Sequence, residues 1–239
     1  MGSLKGLIVL CLLDLCVQSI QGDVKPAAIA KIIQYFADNV QPQTDKGQPS
    51  QYAFAITVPN AQCTSEQSDI QTVFSKKEAE YVKSVISKGD TCILCSQSGL
   101  ELGIVIATRP NRITKEHSEH ILLYPLGNSP MDKLLAKADQ NSCIVFYSYN
   151  SPCVKKCIKS EDNILDGLSN WKNIRKDAMN VFVFEKIWPK DARKKDMAEN
   201  LMKIHDQVPL YRCNNTNGME CRNCVEKNTR NVIPFCLSV

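Results

Sequence analysis

Two short stretches, His117-Ser118-Glu119 and Pro152-Cys153-Val154-Lys155-Lys156-Cys157, constrain the fold more than any other feature of the chain. Between them lies the apolar run Cys143-Ile144-Val145-Phe146-Tyr147-Ser148-Tyr149, which reads as a strand buried within a sheet. A fold that brings the two stretches together offers one imidazole and two thiolates. Those groups supply three corners of a tetrahedral zinc site and leave the fourth open, as catalytic zinc requires. Glu119 stands two residues past the imidazole, where it can handle protons without binding the metal. Both stretches read as helix openings, whose free N–H groups and positive dipole end favour a thiolate. Pro152 suits a place just before or in a first helical turn. A lone His-x-Glu is commonplace on wet helix faces, and a lone cysteine pair is more often a disulfide. The pairing of the two carries the reading. The Cys153 to Cys157 spacing is one residue longer than Cys-x-x-Cys. His120 lies at the same helix start, and the position of Glu119 singles out His117 as the ligand.

The cysteines also speak to compartment. Lys5 precedes the apolar run Leu7 to Leu13, which resumes at Leu15-Cys16-Val17 and ends among small residues at Ser19 and Gly22. A basic start, a short apolar centre and small residues read as a secretory signal over residues 1–22, too short and interrupted to span a bilayer comfortably. Of the 12 cysteines, Cys11 and Cys16 fall in that leader. With Cys153 and Cys157 assigned to metal, Cys63, Cys92, Cys95, Cys143, Cys213, Cys221, Cys224 and Cys236 remain as disulfide candidates. Eight cysteines allow 105 pairings, and the sequence selects none. Asn214-Asn215-Thr216 is a glycosylation sequon in a polar segment. The formal charge of +4 permits binding to polyanions without requiring it.

Along the chain, Pro26 opens a helix with Ala28, Ile29, Ile32, Ile33, Phe36 and Val40 at helical spacing. Strands are expected at Tyr52 to Val58, Leu102 to Thr108, Cys143 to Tyr149 and Asn180 to Glu185, and one short strand in the tail. Helices are expected from Ser75 to Ser87, at His117, from Met131 to Ala138, up to Trp171, and from Asp191 to Asp206. The segment from Asn60 to Gly99, with an extended piece Thr91 to Cys95, reads as a decorated insertion within a hairpin. This order describes an α/β fold of three α/β/α layers, with a central mixed sheet of about five strands, a disulfide-bearing insertion and a tail. The expected division is a leader at 1–22, one domain at 23–208 and a Cys-rich extension at 209–239 packed on it.

His117-Ser118-Glu119 together with Phe146-Tyr147-Ser148-Tyr149-Asn150-Ser151-Pro152-Cys153 resembles the AID/APOBEC-like branch of the cytidine deaminase superfamily. With the leader, extra cysteines and sequon, the chain is most similar to secreted deaminases of that branch from lower vertebrates. The resemblance covers about Pro26 to Asp206 and implies a cytidine-deaminase-like fold. It implies that His117, Cys153 and Cys157 bind Zn2+, and that Glu119 shuttles protons while cytosine is hydrolysed to uracil. The branch commonly carries Trp before Ser-Pro-Cys, whereas this chain has Asn150. Tyr147 and Tyr149 are the neighbouring aromatics, expected on opposite faces of their strand with one in the core.

For substrate, the resemblance points to single-stranded DNA or RNA, since the reaction needs an unstacked base. Trp188 is the candidate stacking surface, with Lys186, Lys190, Arg193, Lys194 and Lys195 around it in sequence. Asn111, Arg112, Tyr149, Asn150 and Ser151 are the other candidate contacts. Two alternatives stand beside this reading: a free-nucleoside deaminase, and a secreted zinc-containing protein that binds nucleic acid without turning it over.

Overall fold

The computed structural model describes residues 23–88 and 103–238. The leader read at 1–22, the extended piece from Thr91 to Cys95, and with it Cys92 and Cys95, lie outside the described residues. Pro26 sets the first turn of α1 (Pro26–Asn39), which buries Ala28, Ile29, Ile32, Ile33 and Phe36 on one face. Next come β1 (Ala53–Pro59), α2 (Asn60–Thr64), a 3-10 turn (Ile70–Thr72) and α3 (Lys76–Ser87). A reciprocal cap starts α3: Ser75 Oγ accepts from the Glu78 N–H, and the Glu78 carboxylate accepts from the Ser75 N–H. The chain continues through β2 (Val105–Thr108), α4 (Ser118–Leu123), α5 (Pro130–Lys137) and β3 (Ser142–Asn150). A wide π turn (Val154–Ile158), α6 (Leu165–Ile174), β4 (Met179–Lys186) and α7 (Met197–His205) follow. Last are β5 (Leu210–Asn215), β6 (Met219–Asn223) and α8 (Pro234–Leu237).

The strands form one mixed sheet in the order β2-β1-β3-β4-β5-β6. The pairs β2–β1, β1–β3 and β5–β6 are antiparallel, and β3–β4 and β4–β5 are parallel. Strand alternation sorts the side chains into two cores. Phe54, Ile56, Val145, Tyr147, Val181 and Val183 face α1 and α3, where Phe36 stacks between Phe54 and Phe74. Ala53, Ala55, Ile144, Phe146, Phe182 and Phe184 face the other side, covered by α4 to α7 with Trp171 wholly buried. The layered α/β/α arrangement expected from the element order is the one found.

The sheet has six strands among the described residues rather than about five, because the tail supplies two. Residues from 209 onward, read as an extension packed on the domain, continue the sheet itself. Apolar alternation does not mark β5 and β6; the pairing of β5 to β4 and of β6 to β5, two disulfides and one arginine hold them. Cys213–Cys221 bridges the two strands, and Cys224–Cys236 ties α8 down. Arg212, 3% exposed, donates to the backbone carbonyls of Glu185, Phe235 and Ser238. The third disulfide, Cys63–Cys143, fastens α2 to the start of β3. The helix expected from Asp191 begins only at Met197. Asp191 is buried, its carboxylate accepting from the Val154 N–H at 2.8 Å and pairing with Lys194 at 2.8 Å. That inward pull occupies the preceding turn.

At the end of α7, burial lowers the pKa of His205, and its Nδ1 accepts from the Leu210 N–H at 3.2 Å. The folded protein therefore prefers the neutral ring. Its contribution is complete above the unfolded pKa of about 6.5 and is lost as pH falls toward the folded value. The midpoint of thermal unfolding should fall on acidification from pH 7.5 to 5.5, and His205→Gln should flatten that part of the profile.

Candidate active site

The site forms where β2 and β3 hand over to the elements that follow them. After Thr108 the chain turns through Pro110 and a loop in which Asn111 Oδ1 accepts from the N–H groups of Ile113 and Thr114. The Asn111 N–H closes the same loop on Glu116 O at 2.9 Å. The loop delivers His117 as the extended residue that caps α4. β3 runs out through Ser151 and Pro152 to Cys153, the cap of the π turn that carries Cys157. This turn is wider than an α-turn and closes Lys159 N–H onto Val154 O at 3.1 Å. It absorbs the additional residue in the Cys153 to Cys157 spacing.

The three side chains converge. His117 Nδ1 lies 3.6 Å from Cys153 Sγ and 3.3 Å from Cys157 Sγ, and the two sulfurs are 3.7 Å apart. A tetrahedral centre with thiolate and imidazole ligands has edges of roughly 3.5–3.8 Å. The triangle fits that size, so the group could hold a metal ion. Both cysteines are buried, and neither is paired in a disulfide among the described residues. Cys153 is held far below its ordinary range, at about 4, chiefly because the Cys157 thiol donates to it, with the His117 ring adding to the effect. Cys157 is pushed up, first by that same bond to Cys153, which keeps its proton in place, and then by burial. Its bond to Cys153 raises the His117 pKa, with burial opposing.

Glu119 lies beside the triad, 2% exposed. Its Oε1 accepts from Ser148 Oγ at 2.7 Å and its Oε2 from Ser118 Oγ at 3.1 Å. His117, Glu119 and Cys153 open onto a cavity of about 170 Å³, walled by Asn150, Ser151 and Trp188 and closed by Gln51 and Pro110. Trp188 is half-buried and fixed to the ligand loop, its N–H donating to Ser151 Oγ at 2.9 Å. The Ser151 N–H in turn donates to Lys186 O at 2.7 Å. Together with the bond from Val154 to Asp191, these contacts make the Trp188 loop and the cysteine turn one unit.

Several expected contacts are not brought to this cavity. Tyr149 points to the opposite side of the sheet with Tyr147, because residues two apart on a strand share a face. Their expected separation onto opposite faces is therefore corrected; Ser148 and Asn150 occupy the site face. Asn111 shapes the loop with its side chain, and exposed Arg112 does not line the cavity. His120 pairs with Glu116 at 2.7 Å and stacks on Tyr124, beside a second cavity of about 340 Å³ behind His117 and Cys157. Asn214 is the penultimate residue of β5, at the β5–β6 hairpin, where its Oδ1 accepts from Thr216 Oγ1. Sequence reading missed Gln51, Ser148 and Asp191. Strand parity from Asn150 would have found Ser148; Gln51 needed the β1–β3 pairing.

The family model of the Secreted Novel AID/APOBEC-like Deaminase 1 group matches residues 26–238. The chain belongs to this family. The match includes β5, β6 and α8. No curated protein and no solved structure gave a significant match. The three disulfides among the described residues and the family's description fit an extracellular protein. No helix among the described residues is long and apolar enough to cross a membrane.

Proposed function

We propose that this chain is a secreted zinc-dependent deaminase that hydrolyses cytosine to uracil in single-stranded DNA or RNA. The observation that carries the reading is the shared cavity: Glu119, His117 and Cys153 all open onto it, and Cys157 completes the ligand triangle. His117 Nδ1, Cys153 Sγ and Cys157 Sγ would hold zinc. When bound, zinc supplies the Lewis acidity that makes water a usable nucleophile near neutral pH. Glu119 would take a proton from the attacking water and carry it to the ring nitrogen N3 as the oxygen adds to C4. Glu119 would then take the remaining proton from the oxygen added at C4 and pass it to the departing amino group. The C4–N bond breaks, ammonia leaves, and C4 keeps the oxygen. Buried beside the triad and held by two serine hydroxyls, the carboxylate needs little rearrangement between these steps.

A polymeric substrate is favoured by the surroundings of the cavity. Trp188 offers a face on its wall, and exposed Lys155, Lys190, Arg193 and Lys195 lie on the two loops beside it. Aromatic stacking next to a basic track is how single strands are held without reading their sequence. Trp188→Ala should weaken turnover of a cytosine-containing single strand by roughly 10- to 100-fold in kcat/KM, more than it weakens turnover of free cytidine. Uracil released from single-stranded DNA, RNA and cytidine, each with wild type and Trp188→Ala, measures this. Efficient turnover of cytidine with none of either polymer would give the assignment to the nucleoside deaminases.

A further inference from the structure

The Gln51 carboxamide is saturated with hydrogen bonds, and one of them fixes the direction of all the others. The register Ala53↔Ser148, carried two residues on, sets Gln51 across from Asn150 on the site face of the sheet. Gln51 Oε1 lies 2.8 Å from the Asn150 backbone N–H and 2.7 Å from Asn150 Nδ2. A backbone N–H can only donate, so the Gln51 atom facing it must be the carbonyl oxygen. Gln51 Nε2 must then face Ser118 Oγ at 3.1 Å and Ser148 Oγ at 2.9 Å, and these hydroxyls accept from it. Their own protons are left for Glu119 Oε2 and Oε1. The same reasoning orients Asn150. One of its two Nδ2 N–H groups is given to Gln51, and among the described residues no donor reaches its Oδ1. Asn150 lines the cavity with its carbonyl oxygen unclaimed among the described residues, at the position where the resembling branch commonly carries tryptophan.

We propose that Gln51 is the positioning residue of this site. It aims both serine hydroxyls at Glu119, and it turns the Asn150 carbonyl into the acceptor that receives an N–H or O–H donor of the substrate nucleotide. Recognition at this wall is then by hydrogen bonding rather than by stacking, with stacking left to Trp188. This rests on the deaminase reading above.

The two halves of the role separate kinetically. Gln51→Glu keeps the size of the side chain and the acceptor toward Asn150 but cannot donate to the serines, so its effect falls mainly on kcat, by roughly 10- to 100-fold. Asn150→Ala removes the acceptor, and its effect falls mainly on KM, by roughly 10-fold. Gln51→Met removes both contacts and should show both losses. The assay is uracil formation from a cytosine-containing single strand, with metal content and thermal unfolding measured on every variant. Folded, metal-loaded Gln51→Glu with wild-type kcat would overturn the inference while wild-type turnover leaves the deaminase reading standing. Metal-loaded wild type that deaminates neither polymer nor cytidine would overturn the deaminase reading, and this role for Gln51 with it. Should Gln51→Met fail to fold, the Gln51→Glu result decides alone.

Discussion

Glu119→Gln lowers kcat for cytosine deamination by roughly 10²- to 10⁴-fold, the range spanned by the loss of a positioned acid–base group, while the protein keeps its metal. The geometry separates the two properties. Glu119 lies outside the triangle of His117 Nδ1, Cys153 Sγ and Cys157 Sγ, so its loss leaves the ligand set intact. Both of its oxygens instead accept from serine hydroxyls while the side chain faces the cavity. Gln matches the carboxylate in size but cannot take up and return a proton. Its NH2 group also confronts a hydroxyl that Gln51 has turned to donate. Glu119→Ala should show the same loss without that added conflict. Steady-state kinetics with metal analysis on both variants checks the prediction, and a loss of metal equal to the loss of activity would count against the division of roles.

The second large effect is on stability. Cys63–Cys143 closes a segment of 80 residues, wholly buried at both ends. In the chain-entropy account a loop of that length contributes about 4.5 kcal/mol by constraining the unfolded chain. That is a large part of the 5–15 kcal/mol typical of a domain. The closed segment contains α3, β2, α4 and α5, and so carries His117 and Glu119 to the strand that leads to Cys153. Replacing both cysteines with alanine should lower the unfolding midpoint by roughly 10–20 °C. Calorimetry of the double variant beside the wild type measures this, and an unchanged midpoint would mean that the bridge contributes little. The Cys213–Cys221 link closes a far shorter segment, 8 residues within one hairpin, and its removal should cost less.

What the sequence made legible follows the distance over which each feature is determined. α1, β1, β3 and β4 are strong apolar runs, and the structure places them within a residue or two of the expected bounds. His117, Glu119, Cys153 and Cys157 were readable because each sits at a junction where a strand or loop turns into a helical segment. β5 and β6 were harder to read. Their residues are polar and Cys-rich; β5 becomes a strand by pairing with β4, β6 by pairing with β5, and Arg212 anchors β5, none of which a local pattern records. Gln51 is the clearest case. It reaches Asn150 across 99 residues of sequence, so its role exists only once β1 and β3 are paired. Tyr149 shows a plainer lesson, since a period of two puts it with Tyr147 and away from the site. Asn111, expected as a substrate contact, instead uses its side chain to turn the loop that presents His117.

One measurement addresses the central claim most directly: zinc content and uracil formation on the same preparations of wild type and Glu119→Ala. One zinc per chain is expected in both proteins, and uracil from single-stranded substrate with the wild type alone. Purified wild type without zinc, with Cys153 and Cys157 oxidised to each other, would contradict it, as would Glu119→Ala that forms uracil at the wild-type rate.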